Sequence, residues 1–350
     1  MAVPLKPSLT PRMGKSRLAW FLSLSARGRE SQWAAMNIRF FAPGLNYAIQ
    51  ENYTAPKFSA DSAYALIEEL AAFGPRNPNS RGAELALNYL VAGLQRCAPK
   101  TFLQSFTYNG YDREVLSLNN IIAQFNPEAK NRIFIAAHWD SRPRAERDKN
   151  QAKRDLPILG VNDGLSGTAI LLEIARVLKA NSPEYGVDII LFDGEDYGHE
   201  DDLMNFCLGA KYFAANMPQG YSPAFGIVID MVGDKQAVFY REPSSLNYAP
   251  DIVDLVWNTA HKINADKFND RTGKSIYDDH IPLNQAGLRT IDIIDMDLVG
   301  GDDSKPGRDY WHTHDDNLSN MGKETLQQLG DVLLNVIFRI KFNGQPNENL

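Results

Sequence analysis

The chain predicts an α/β protein, a three-layer α/β/α sandwich around a central mixed, mostly parallel sheet. Three observations carry that prediction. From residue 132 onward, short apolar runs alternate with helix-length amphipathic segments, the pattern of units that build parallel sheets. The run Ile133-Phe134-Ile135-Ala136-Ala137 is apolar at every position, as in a strand covered on both faces. Two extended runs precede it with no helix between them, and a hairpin of that kind adds an antiparallel edge.

Taken in order, Ser59 opens a helical pattern over 59–73, which Gly74-Pro75 stops. A second helix starts near Ser80, carries Leu85, Leu87, Tyr89, Leu90 and Leu94, and ends before Pro99. Strands follow over 101–108, 116–125 and 132–138. The alternating part then reads helix 166–179, strand 187–192, helix 208–216, strand 225–231, helix 251–262, strand 290–294 and a last amphipathic helix over 323–340.

With 350 residues, 44% of them hydrophobic, the chain can bury one large core, and no linker divides it. We expect a single domain over 37–350. A net charge of −7, from 36 basic and 43 acidic residues, speaks against nucleic acid, whose binding rests on Lys and Arg neutralising phosphates. Two cysteines, Cys97 and Cys207, exclude a disulfide framework and a Cys-rich zinc site; whether they pair is left open. No run approaches the ~18 apolar residues of a membrane helix. In the leader, 1–36, Arg12, Lys15 and Arg17 precede a short apolar run over 18–26. It reads equally as a signal peptide and as a disordered segment with Met36 as the true start, because Arg27, Arg29 and Glu30 follow without a clean cleavage site.

Acidic and imidazole residues gather where strands stop. His138 and Asp140 follow one strand, Glu195 and Asp196 another, and Asp230 closes a third. Asp163 precedes a helix in Gly160-Val161-Asn162-Asp163-Gly164, and His312 lies in the loop Tyr310-Trp311-His312-Thr313-His314. In a parallel sheet the carboxyl ends of the strands share one edge, where ligand sites form. A set of His and carboxylates without Cys suits zinc, and a catalytic zinc takes three protein ligands and keeps a position open. In an extended segment Glu195 and Asp196 would point opposite ways, one to metal and one to substrate as a base. Each residue also has an ordinary reading. Asp163 could cap a helix, Glu195-Asp196 could be a solvated turn, and His138 could be a core histidine bonded to backbone. Asp230 resists such a reading, because a buried carboxylate must be paired or metal-bound.

The motifs His138-Trp139-Asp140, Asn162-Asp163-Gly164, Phe192-Asp193-Gly194-Glu195-Asp196 and Trp311-His312-Thr313 resemble the zinc aminopeptidase clan that includes the animal-type glutaminyl-peptide cyclotransferases. Asp278-Asp279-His280-Ile281-Pro282 lies closer to the cyclotransferases than to the peptidases. The resemblance implies one zinc held by Asp163, Asp196 and His312. It implies Glu195 as acid/base, Asp230 and Asp278 as carboxylates networked with it, and Trp311 as a substrate-pocket aromatic. The activity implied is cyclisation of amino-terminal glutamine on peptides, by an exported enzyme; we expect a monomer. The alternative is an aminopeptidase in which His138 and Asp230 hold a second zinc and Asp163 bridges the two. A non-catalytic binding module on the same fold is the third reading. Two departures stand out: animal cyclotransferases carry Glu-Glu in place of Glu195-Asp196, and the segment from Tyr197 to Phe206 does not match theirs.

Overall fold

The structure, a computed structural model, describes residues 47–50, 53–199, 202–300 and 308–343. The leader lies outside the described residues, which all fall in one compact unit, Asn46–Leu350. The elements run β1 (Tyr47–Ile49), α1 (Ala60–Ala71), α2 (Arg81–Gln95), β2 (Lys100–Asn109), β3 (Val115–Phe125), β4 (Arg132–His138), α3 (Gly167–Ala180), β5 (Gly186–Phe192) and α4 (Leu208–Ala215). They continue with β6 (Gly226–Asp230), β7 (Phe239–Arg241), α5 (Pro243–Tyr248), α6 (Pro250–Lys262), β8 (Phe268–Thr272), α7 (His280–Gln285), β9 (Thr290–Ile294), α8 (Lys323–Arg339) and β10 (Ile340–Phe342).

Both early helices begin at a serine cap. Ser59 Oγ accepts from Ser62 N at 3.2 Å, and Ser80 Oγ from Ala83 N at 3.0 Å, each satisfying an orphan donor of the first turn. Helix α1 buries Ala63, Ile67, Leu70 and Ala71, spaced by four, three and one, which is one helical face.

The main sheet has six strands in the order β2-β3-β5-β4-β6-β9. Strand β3 is antiparallel to both neighbours, while β5, β4, β6 and β9 are mutually parallel. The hairpin thus forms the antiparallel edge, and the carboxyl ends of four strands share the other end of the sheet. Strands β4, β5 and β6 are buried along their whole length. Alternation splits their side chains between two cores. Phe134, Ala136, Ile190, Phe192 and Val228 pack with Phe213 of α4 and Leu283 of α7 on one face. Helices α1, α3, α6 and α8 pack together over the other. Two short pairs, β1 with β10 and β7 with β8, lie outside the main sheet.

The register sets up the site. Ala136 of β4 lies beside Val228 of β6, so two residues further along His138 meets Asp230. Gly167 begins α3 where any Cβ would stand 2.8 Å from Ile229 O and 2.9 Å from Ala137 Cβ. Its bare backbone lets α3 and the turn before it press against β4 and β6.

Candidate metal and acid–base site

Three strand ends and three loops supply the site. The turn Val161–Ser166 carries Asp163 between Gly160 (φ 59°) and Gly164 (φ 94°), left-handed positions that favour glycine. The carboxylate of Asp316 fixes that turn, accepting Asn162 N at 2.8 Å and Asp163 N at 3.1 Å. Asp163 is therefore not a helix cap; its own carboxylate faces His138 and His312. Fully buried Arg76 ties the same turn to β4, donating to Trp139 O at 2.9 Å, Leu159 O at 2.7 Å and Gly160 O at 2.9 Å.

After β5, Gly194 at φ 70° turns the chain into a short helical turn, Glu195–Tyr197. This corrects the expectation of an extended pair: a glycine in the left-handed region ends the strand first. The two side chains still part, because Asp140 holds the backbone, accepting Glu195 N at 3.0 Å and Asp196 N at 3.3 Å. Asp196 turns to Arg142, whose Nη1 lies 2.5 Å from Asp196 Oδ1, and to His312. Glu195 turns to Cys207 and Asp278, with Cys207 Sγ 3.3 Å from Glu195 Oε1.

The two imidazoles of the site stand differently. His138 Nε2 lies 3.0 Å from Asp230 Oδ1 and 3.1 Å from Asp163 Oδ1, within hydrogen-bond reach. His312 Nε2 lies 3.5 Å from Asp196 Oδ1 and 3.8 Å from Asp163 Oδ2, too far for hydrogen bonds. Asp163, Asp196 and His312 each offer a donor atom within 4.8 Å of the others, close enough to be drawn around one ion by ligand bonds of about 2.0–2.1 Å. Asp196 Oδ2 is buried without a hydrogen-bond partner, as expected of an oxygen reserved for a cation. His312, at φ 57°, takes a backbone uncommon for a side-chain-bearing residue, at the point where its ring must reach the carboxylates.

The electrostatics follow from burial. Burial, then the cations Arg142, Arg147 and Arg144, hold His312 well below its ordinary value, so its ring is the neutral form that ligates metals. Burial and the neighbouring Asp278 and Asp196 carboxyls push Glu195 well up, against the opposing pull of His138. Burial raises Asp230 to about 7 although His138 pulls it down.

Behind Asp278 lies a second buried set. His280 Nε2 is 3.4 Å from Glu242 Oε2, and His280 Nδ1 is 3.7 Å from Asp292 Oδ2. Each ring nitrogen faces a different carboxylate, at a separation too long for a hydrogen bond. Glu242 also caps α5, accepting Ser244 N at 2.9 Å and Ser245 N at 2.5 Å. Trp311 stacks on His312, ring centroids 3.5 Å apart, with Arg147 4.8 Å from the indole centre.

The structure therefore brings Asp163, Asp196, His312, Glu195, Asp230, Asp278, Trp311 and His138 to one end of the sheet. Sequence reasoning gave no role to Arg76, Arg142, Asp316, Glu242 or Asp292, all buried. Both cysteines are free. Among the described residues no helix is long and apolar enough to cross a membrane.

A parallel-sheet edge with carboxylates and imidazoles close enough to hold a metal, beside a buried glutamate, is the kind of arrangement that metal-dependent enzymes use. The chain belongs to Peptidase family M28, whose profile matches residues 120–337. It is similar to the glutaminyl cyclase of Bacteroides thetaiotaomicron, solved bound to N-acetylhistamine. Identity is 40% and TM-score 0.77, covering 81% of this chain and 99% of that one. A Zn-dependent exopeptidase from Parabacteroides distasonis matches at 38% identity and TM-score 0.76, covering 81% and 99%. The glutaminyl-peptide cyclotransferase of Bos taurus is 25% identical over 301 residues, covering 74% of this chain and 76% of its own length.

Proposed function

We propose that the chain is a zinc-dependent glutaminyl-peptide cyclotransferase, closing amino-terminal glutamine of peptides into pyroglutamate with release of ammonia. The likeness to the glutaminyl cyclase of Bacteroides thetaiotaomicron, 40% identical and covering 81% of this chain, carries this reading. Two sets of possible ligands share Asp163, one with Asp196 and His312 and one with His138 and Asp230; the one-metal form uses the first.

Asp163, Asp196 and His312 would hold the ion. When bound, zinc supplies a Lewis acid that polarises the substrate's γ-carbonyl. The substrate's own α-amine is the nucleophile, and its intramolecular attack starts from a high effective molarity. An α-amine with a pKa of about 7.7–8.0 is partly neutral near pH 7. Glu195 takes the proton from the attacking amine and gives it to the departing nitrogen, so one carboxyl serves both half-steps. Asp278, within reach of Glu195, and Asp230, hydrogen-bonded to His138, keep shared protons beside it, since clustered carboxyls do not all ionise together. Trp311, stacked on His312, would give the substrate an aromatic wall beside the ion.

Incubation with a glutamine-initiated peptide and its leucine-initiated twin, read by mass, tests the activity. We expect the first to lose the mass of ammonia and the second to stay intact, with one zinc per chain by elemental analysis. Removal of the terminal residue with two metals per chain would sink the proposal in favour of the aminopeptidase, with His138 and Asp230 as ligands.

A further inference from the structure

Cys207 has no part in the chemistry above, yet it touches the acid/base. The residue precedes α4 with φ 55°, a costly backbone for any residue with a side chain. Two backbone bonds hold it there, from Cys207 N to Glu195 O at 2.8 Å and from Leu208 N to Gly194 O at 3.2 Å. The start of α4 is thereby laced to the turn that carries Glu195. The side chain is fully buried, packed with Phe192 and Phe213 on its apolar side. On its other side Sγ points at Glu195 Oε1, 3.3 Å away.

We propose that Cys207 is a positioning residue for the cyclisation: its thiol donates to Glu195 Oε1, fixing the carboxyl rotamer and leaving Oε2 as the oxygen that carries the proton. This rests on the cyclase reading of Glu195. No group among the described residues donates to Oε2, and Glu195 keeps 8% exposure, so one oxygen is engaged and the other is open. The chemistry suits a thiol. Cysteine packs as a small apolar group and still offers a weak donor, which fits a residue with aromatics on one side and a carboxyl on the other. Burial and the facing Glu195, Asp279 and Asp278 carboxyls push the thiol well up, so it keeps its proton at neutral pH.

The tests are Cys207→Ser, which keeps a donor, and Cys207→Ala, which keeps only the apolar fit. Each is measured for kcat, KM and thermal midpoint on a glutamine-initiated peptide. We expect Ala to lower kcat on the order of tenfold, a fraction of the whole acid–base contribution, with KM unchanged, and Ser to stay within about twofold of wild type. Stability should run the other way, with Ala melting above Ser. Activity that merely follows the melting order, or full kcat in Ala, would overturn the assignment. A second readout needs no turnover. In a Cys97→Ser background the infrared S–H stretch belongs to Cys207 alone. It should lie at the low frequency of a donor to carboxyl and move up in Glu195→Gln. An unmoved stretch overturns the proposal even if the enzyme cyclises glutamine; a moved stretch in a chain that does not cyclise would instead fault the cyclase reading.

Discussion

At the scale of single residues, the site separates a group that holds metal from its neighbour that moves protons. Glu195 and Asp196 are adjacent, but Asp140 pins both amides and their side chains part to different partners. Glu195→Gln keeps shape and hydrogen bonding while losing proton transfer. We expect it to retain metal and to lose about 10²- to 10⁴-fold in kcat, the range for a removed general acid–base. Steady-state kinetics beside elemental analysis checks both halves, and near-wild-type turnover would refute the role. His138 gives the complementary test. If it only hydrogen-bonds Asp230 and Asp163, His138→Gln should leave the metal content per chain unchanged, whereas a second-metal ligand would take an ion with it.

At the scale of elements, the turn Val161–Ser166 shows how a loop is made rigid enough to present a ligand. Asp316 accepts two of its buried amides, and Arg76 fastens its start to β4. Asp316→Ala should weaken metal binding about 10- to 100-fold, as losses behind metal ligands commonly do, and competition with a chromogenic chelator would measure it. Unchanged affinity would mean that the backbone alone holds Asp163. What was legible in the sequence follows the same division. Long elements and the strand-end residues His138, Glu195, Asp196 and Asp230 announce themselves, because apolar runs mark strands and polar residues at their ends stand out; Asp163 shows as an acid between glycines before a helix. The short elements β7, β8, α5 and α7 do not, since three to six residues hold fewer than three periods, too few for a pattern to show. Arg76 and Asp316 were equally silent. Each acts on backbone far along the chain, Asp316 on Asn162 at 154 residues' separation, and nothing local distinguishes it from a solvated charge.

At the scale of the whole molecule, the site is a concentration of buried acid whose cost depends on what occupies it. In the metal-free protein burial raises Asp230 to about 7, and Asp316 is likewise raised to about 7 by burial and then by Asp163. An acid whose folded value lies above its unfolded value costs nothing below the unfolded one, about 3.9 for Asp, and its full penalty above the folded one. Metal-free stability should therefore fall as pH rises from about 4 to 7 and stay low above that. Glu242 limits the gain on the acid side: burial pushes it up, but His280 and the amides of Ser244 and Ser245 outweigh burial and bring it to about 2. Its contribution is complete above about 4.5 and is lost as pH falls toward 2, so the metal-free protein should be most stable near pH 4. A bound dication favours the ionised carboxylates and the neutral imidazole, and its binding releases protons. Metal therefore stabilises more at higher pH, by a term that grows with the ratio of free metal to its dissociation constant. Thermal melts of loaded and chelator-stripped protein at pH 5.5 and pH 8 should show the gap in midpoint widening at pH 8, mainly because the stripped form melts earlier. A gap that stays constant or narrows would mean that these carboxyls are not what the metal relieves.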